Sequence, residues 1–300
     1  MLKKIKKAIK NPKLVIILLL NFKIFRIIPD SLFLKIEYRL KMNKKLNLKK
    51  PETFSEKLQW LKIYDRNPLY TKLVDKYEVR KQIAKIIGED YLIPLLGVYD
   101  SFEEINFNEL PNQFVLKPNH TSGDIYICKD KSKINYSELK KTINRWLKRE
   151  YYWIHREWPY KNVKPRIVCE KYMVDESGTE LKDYKIFCFN GEPKLIQVDY
   201  NRFSGHKRNL YDINWNYIPV SYQYPTYPNI VIKKPQKLSE MLELARLLSK
   251  NYPHVRVDFY CIRDKIYFGE MTFYPEAGFG KFNSESLEKE MGSWIELPMK

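Results

Sequence analysis

Between Asp183 and Val198 the chain runs apolar strand, Asn190-Gly191, apolar strand, and no other pattern in it restricts the fold as much. Asn-Gly supplies two residues that tolerate positive φ, as a tight type I′ hairpin turn requires. Asp183 to Phe189 is therefore expected to pair antiparallel with Lys194 to Val198. A second hairpin follows from Val255 to Cys261 and Lys265 to Met271, turning through Arg263-Asp264. A third joins Phe114-Val-Leu-Lys117-Pro118 to Ile125 to Cys128 across the loop Asn119-His-Thr-Ser-Gly123-Asp124. Arg166 to Tyr172 reads as a further strand. Strands that fold back on themselves build antiparallel sheets, so the expected class is α+β. Neither G-x-G-x-x-G nor G-x-x-x-x-G-K-[ST] occurs, which leaves a dinucleotide-binding βαβ unit and a P-loop without support.

The helices are written in caps and stripes. Thr53-Phe-Ser-Glu56 has capping-box spacing and leads into an apolar stripe of Leu58, Leu61 and Ile63. A second helix is expected from Tyr70 to Ile87, with Leu73, Val74, Tyr77, Ile83 and Ile86 inward and a stop at Gly88. Ser137 to Glu150 and Leu238 to Lys250 complete the set. Polar, basic Lys41 to Lys50 ends at Pro51 and marks a joint. The chain divides into a basic, partly apolar helical extension (1–50), a helical subdomain supporting a lid (51–110), a small subdomain (111–175) and a C-terminal subdomain (176–300).

Charge narrows the class of partner. Lys and Arg outnumber Asp and Glu by 54 to 36, a surplus of 18 that calls for something anionic: nucleic acid, lipid, nucleotide or acidic polymer. At the N-terminus, basic Met1 to Lys10 precedes apolar Leu14 to Leu20, and charge returns at Lys23 and Arg26. That run is shorter than the ~20 residues a spanning helix needs. A signal peptide shares its outline, but bulky, charged Asn21 to Arg26 offers no small-residue cleavage site. Two readings stay open for residues 1–28: a helix on the anionic inner face of a membrane, where each lysine contributes about 1 kcal/mol, or a helix packed on the protein's own core. The four cysteines lie apart in apolar runs, as buried free thiols do. This fits a reducing, cytoplasmic compartment.

The chemistry concentrates at strand ends. Arg256 and Asp258 lie two apart on one strand, Glu270 and Thr272 two apart on the next, so each pair shares a face. Two carboxylates with open positions between them suit Mg²⁺, which takes its remaining ligands from water and phosphate. Arg256 beside them would stabilise a developing anion. An exposed hairpin with cross-strand ion pairs reads the same way. Lys117, ending its strand before a Ser-Gly loop, gathers an ammonium and backbone N–H groups as polyphosphate binding does; a strand-end lysine reaching solvent is the plainer reading. Glu170 ends another strand. Asn201-Arg202 and His206-Lys-Arg208 are either a solvated basic loop or cations for an acidic acceptor. Trp153, His155, Arg156, Trp158 and Tyr160 are either loop packing or a surface on which a sugar could stack.

Taken in order, these pieces resemble the ATP-grasp superfamily and, within it, the TupA-like family linked to bacterial cell-surface polymers. The resemblance runs from about Lys49 to Gly280. It rests on Pro51-Glu-Thr-Phe-Ser-Glu-Lys57 with Trp60, Asp75-Lys76-Tyr77 with Arg80, Phe114-Val-Leu-Lys-Pro-Asn-His-Thr-Ser-Gly123, Asp183-Tyr-Lys185 with Phe189-Asn-Gly191, and Arg256-Val-Asp-Phe-Tyr260 with Gly269-Glu-Met-Thr272. It implies an ATP-grasp fold with the basic helical extension added, and ATP and Mg²⁺ as cofactors. Lys117 and Lys76 or Lys185 would meet the phosphates beneath the Ser122-Gly123 loop. Glu170 would lie at the adenine hinge with Lys171 and Tyr172, and Asp183 would line the nucleotide site. Asp258 and Glu270 would ligate the metal, with Thr272 where the superfamily often has asparagine. Arg256, Lys185 and Arg202 would serve catalysis.

The implied reaction is carboxylate activation through an acyl phosphate, then attack by an amine or related nucleophile, in surface polysaccharide or peptide-polymer assembly. The implied partners are an acidic acceptor and an amine donor. A glycosyltransferase of the same polymers is the alternative, though no clear Asp-x-Asp is present. A nucleic-acid-binding protein is the third reading, and no helix-turn-helix, zinc or RNA-binding signature supports it.

Overall fold

The computed structural model describes residues 12–20, 22–175, 178, 181–200, 205–230 and 232–299. Two antiparallel sheets carry the architecture. Strands β1 (Leu95–Tyr99), β2 (Phe114–Pro118), β3 (Tyr126–Cys128) and β4 (Ile167–Lys171) form the smaller, ordered β1-β4-β2-β3. Strands β5 (Asp183–Phe189), β6 (Glu192–Tyr200), β7 (Lys207–Asp212), β8 (Tyr217–Ile218), β9 (His254–Ile262) and β10 (Lys265–Thr272) form the larger, ordered β10-β9-β5-β6-β7-β8. The expected α+β class is therefore the observed one. Asn190 and Gly191 both take positive φ at the β5–β6 turn, as do Arg263 and Asp264 at the β9–β10 turn.

Nine α-helices surround the sheets among the described residues: α1 (Pro12–Leu20), α2 (Asp30–Met42), α3 (Phe54–Tyr64), α4 (Leu69–Val74), α5 (Val79–Ile86), α6 (Tyr136–Leu147), α7 (Tyr152–His155), α8 (Leu238–Ser249) and α9 (Glu285–Ser293). Helix α3 starts at the capping box: Thr53 Oγ1 accepts from the Glu56 N–H, and the Glu56 carboxylate accepts from the Thr53 N–H. The helix expected over Tyr70 to Ile87 is two helices, because the Asp75 carboxylate accepts the N–H groups of Tyr77 and Glu78 at 2.8 and 3.2 Å. Those bonds end one helix and open the next, turning Lys76 out of helical register. Helix α6 also stops three residues short of Glu150, at Leu147.

There are two hydrophobic cores. The larger packs α2 to α5, α8 and α9 around the large sheet. The smaller lies between the small sheet and α6, with Phe114, Leu116, Ile143 and Trp146 at its centre. Strand β1, in the stretch assigned from sequence to the helical segment, pairs with β4 in the small sheet. No helix of the described residues is long and apolar enough to cross a membrane.

One irregularity sets the face of the site. From Lys265 to Phe268, β10 pairs regularly with β9, but Glu270, not Gly269, lies opposite Asp258. Gly269 is the extra residue of a β-bulge. Continued without it, the register would set Gly269 against Asp258 and turn Glu270 to the other face. With it, Ile266, Phe268 and Met271 are all buried, while Glu270 and Thr272 stay opposite Asp258 and Arg256. A side chain at residue 269 would press on the Asp258 carbonyl at 3.0 Å, which explains the glycine.

Candidate active site

The two sheets meet at a cleft, and each supplies charged side chains to it. From the small sheet, the Lys117 ammonium donates to Glu170 at 2.7 Å across β2 and β4. Arg80 on α5 stands 3.7 Å from the other Glu170 oxygen. From the large sheet, Lys185 donates to Asp258 at 2.5 Å and lies 3.3 Å from Asp183. Arg256 grips Asp258 through both oxygens at 2.7 Å and reaches Glu270 at 3.0 Å and Thr272 at 3.1 Å. Thr272 in turn donates to Glu270 at 3.0 Å. Lys185, Asp258 and Glu270 sit on three adjacent strands in direct register.

Electrostatics follow from this lattice. Burial would raise the Glu270 pKa, but Arg256, Lys185 and Lys76 overcome it and hold the carboxyl at about 2. Burial pulls the Lys76 ammonium below its usual range, and Glu270 partly opposes the fall. For Arg256, burial acts downward but Asp258 more than offsets it, so its guanidinium stays charged.

The Ser122-Gly123 loop has a buried base and an exposed tip. Asn119 exchanges backbone hydrogen bonds with Arg166 and Lys76, and its side chain spans Lys164 and Arg166. His120 bonds to the Trp146 carbonyl, Lys76 donates to the Thr121 carbonyl, and Arg149 holds Asp124 at 2.6 Å. The tip residues Ser122 and Gly123 stand clear of this brace, and Gly123 has φ +83 with open space around its Cα. Such a hinge lets exposed N–H groups settle on an anion.

Three linked cavities define what the cleft can hold. An apolar slot of about 350 Å³ is lined by Ile93, Val115, Ile127, Tyr172, Met173 and Tyr260, with Lys117, Glu170 and Lys171 at its edge. A polar cavity of about 400 Å³ shares Lys117 and Glu170 with it and adds Lys76, Ser122, Gly123, Asp183, Lys185, Asp258 and Glu270. A basin of about 1110 Å³ opens from the Ser122-Gly123 tip, Lys185, Arg256, Glu270 and Thr272 toward Tyr151, His155, Glu157 and Tyr160.

Of the residues expected from sequence to bind or catalyse, all but Arg202 line one or more of these cavities. Arg202 lies outside the described residues. Asn201 also lies outside the described residues, while His206 and Arg208, from the same basic stretch, line the large basin and are paired there with acids. Arg208 is buried on β7, fastened to Asp199 at 2.7 Å and Glu276 at 2.8 Å, and His206 lies 3.2 Å from Asp199. Burial would raise the Asp199 carboxyl, yet His206 and Arg208 hold it well below the usual range. The aromatic–basic cluster divides. Arg156 is buried over Phe33 and Trp153, and Trp158 donates to the Asp65 carbonyl; both are packing. His155 and Tyr160 face the basin.

Glu157 was not singled out by sequence reasoning. It is 5% exposed, lines the basin, and burial raises its carboxyl to about 7. It occupies a turn context that carries no pattern of its own.

Asp258, Glu270 and Thr272 offer the hard oxygen donors a Mg²⁺ ion prefers, and Glu270, with a side chain 38% exposed, is open to the cavity. Among the described residues no group of three or more His, Cys, Asp or Glu side chains could cage a metal alone. The donor set fits an ion shared with phosphate and water.

The model of the TupA-like ATP-grasp family matches residues 56–296, and the chain belongs to that family. No curated protein matches the chain. Among solved structures, D-alanine–D-alanine ligase from Bacillus anthracis aligns at 20% identity over 67% of this chain and 57% of its own, with a TM-score of 0.41. The Helicobacter pylori D-alanine–D-alanine ligase aligns at 14% identity over 81% and 69%, with a TM-score of 0.39. The ADP complex of the N5-carboxyaminoimidazole ribonucleotide synthetase PurK aligns at 17% identity over 73% and 50%, with a TM-score of 0.41. The chain thus spans just over half the length of the first of these.

Proposed function

We propose that the chain is an ATP- and Mg²⁺-dependent, ADP-forming ligase that joins a carboxylate to an amine or related nucleophile. One observation carries the reading: an apolar slot, a cation-rich cavity with Asp258 and Glu270, and a large basin follow one another along a single cleft. Adenine fits the slot in chemistry, with Glu170, Lys171 and Tyr172 at its edge. Lys117 and Lys76 neutralise phosphate, and the Ser122-Gly123 tip adds backbone donors. Asp258 and Glu270, with Thr272 as a weak neighbour, would hold Mg²⁺, whose role is to screen phosphate charge as the acceptor carboxylate becomes an acyl phosphate.

This chain's own groups then act on the acceptor. Arg256 and Lys185 stabilise negative charge on the acyl carbon's oxygens when the nucleophile attacks. Phosphate leaves, and the nucleophile's proton passes to a base. Glu157, in the basin wall with its carboxyl raised to about 7, is suited to take it near neutral pH. Surface-polymer assembly in a reducing, cytoplasmic setting is the finer part of the proposal. Its support is the family resemblance together with the buried free thiols of Cys128, Cys169 and Cys188.

The test is ADP and phosphate release across a panel of amino acids and uronic acids, with mass detection of the conjugate. Turnover should require both a carboxylate and a nucleophile, and Glu270→Gln should lower it at least a hundredfold, in line with losing one preorganised charge partner. Thermal stabilisation by UDP-sugars in place of Mg-ATP would overturn the ligase in favour of a glycosyltransferase. Salt-sensitive binding to random DNA, indifferent to ATP, would point to the nucleic-acid reading.

A further inference from the structure

The N-terminal segment leaves several of its apolar side chains facing outward on an anchored frame, while Leu20, Phe25 and Ile28 pack against the core. Phe22, Ile24 and Ile27 are 61%, 73% and 85% exposed, and Ile16, Leu19 and Leu32 are also exposed. Scattered exposed aliphatics are ordinary, but six within seventeen residues make a patch of the kind that marks a binding surface. The frame beneath is fixed. Arg26 holds Glu150 at 2.8 and 2.6 Å and lies over Trp153, buried Arg156 donates to the Phe25 carbonyl, and Lys13 donates to Asn43. The 3₁₀ turn Lys23–Ile27 buries none of its own residues.

Charge identifies the occupant. Residues 1–29 contain seven lysines and one arginine and no acidic residue. An apolar patch in so one-sided a field suits neither a second copy of this basic chain nor a neutral partner. It suits a surface that is apolar inside and anionic outside. We infer that residues 12–32 dock on an anionic lipid bilayer, with Phe22, Ile24 and Ile27 entering the headgroup–acyl boundary and the lysines meeting lipid phosphates. Among the described residues α1 has nine residues, fewer than a spanning helix needs, and the inferred contact is interfacial. Lys13 and Ile17 of α1 also line the rim of the large basin, so docking sets that rim against the headgroups. The inference stands apart from the ligase reading, since it uses none of the nucleotide site.

Sedimentation of the full chain with phosphatidylglycerol-containing and pure phosphatidylcholine vesicles tests it. The expected result is binding to the anionic vesicles that weakens as salt is raised, with little binding to phosphatidylcholine. The double variant Ile24→Glu/Ile27→Glu should bind at least tenfold more weakly with an unchanged melting temperature. Lys23→Glu should weaken binding at low salt and make what remains less sensitive to salt. Equal binding of the double variant and the parent would overturn the inference. So would a concentration-dependent dimer that the double variant abolishes, because a second copy would then cover the patch.

Discussion

Asp258 is held from two sides at once, by Arg256 through both oxygens and by Lys185 from the neighbouring strand. It is 1% exposed, whereas the Glu270 side chain is 38% exposed. Removing a buried partner leaves its cations uncompensated. Asp258→Asn should therefore lose about 3 kcal/mol of stability and Glu270→Gln well under half of that, although both should abolish turnover. Urea denaturation of the two variants side by side decides the ranking. A second residue-scale expectation concerns His254, which is fully enclosed by Phe54, Phe187 and Phe189 and bonds to the Cys188 carbonyl. Burial depresses its pKa to about 3, against an ordinary 6.5. The folded state thus favours neutral His254, a contribution present above about pH 6.5 and lost as pH falls toward 3. His254→Phe should flatten the stability profile between those limits, measured by unfolding midpoints at successive pH values. Strand period two made the pairs Arg256–Asp258 and Glu270–Thr272 readable, and its place at a strand end before a Ser-Gly loop made Lys117 readable. Glu157 and the partnership of Arg208 with Asp199 were not, because they come from burial and partners distant in sequence.

At the level of elements, α3 and α9 meet with backbone close to backbone. The Gly292 Cα packs against the backbone of Glu52, Thr53 and Phe54, so an added methyl has no room. Ser55 donates to buried Glu288 at 2.7 Å across the same joint. Gly292→Ala should lower stability by about 3 kcal/mol by forcing the backbones apart; a thermal melt that shifts by less than a degree would contradict this packing. Hairpins and the capped α3 were readable from sequence because their signals are local, with Asn190-Gly191 and Thr53-Glu56 each sufficient. The break between α4 and α5 was not, since Asp75-Lys76-Tyr77-Glu78 contains neither glycine nor proline. Strand β1 escaped notice because it is short and only partly buried, taking its identity from β4. The Gly269 bulge was equally hidden: Arg256, Asp258, Glu270 and Thr272 share a face because one residue is left unpaired, and sequence alternation alone does not show that.

Across the whole molecule, two cores lie on either side of a cleft that no local pattern announces. Mg-ATP should raise the melting temperature by bridging the two sheets, by mass action on the folded state. Unchanged melting with saturating Mg-ATP would mean that the cleft does not close on nucleotide. The Ser122-Gly123 tip lines both the polar cavity and the large basin. That shared wall has a consequence for the order of events. On the proposed placement of nucleotide in the polar cavity, a ligand seated in the basin would lean on the same loop, so nucleotide should load first and ADP leave last. In steady-state kinetics, an inert acceptor analogue would then inhibit uncompetitively with respect to ATP, and ADP would compete with ATP alone.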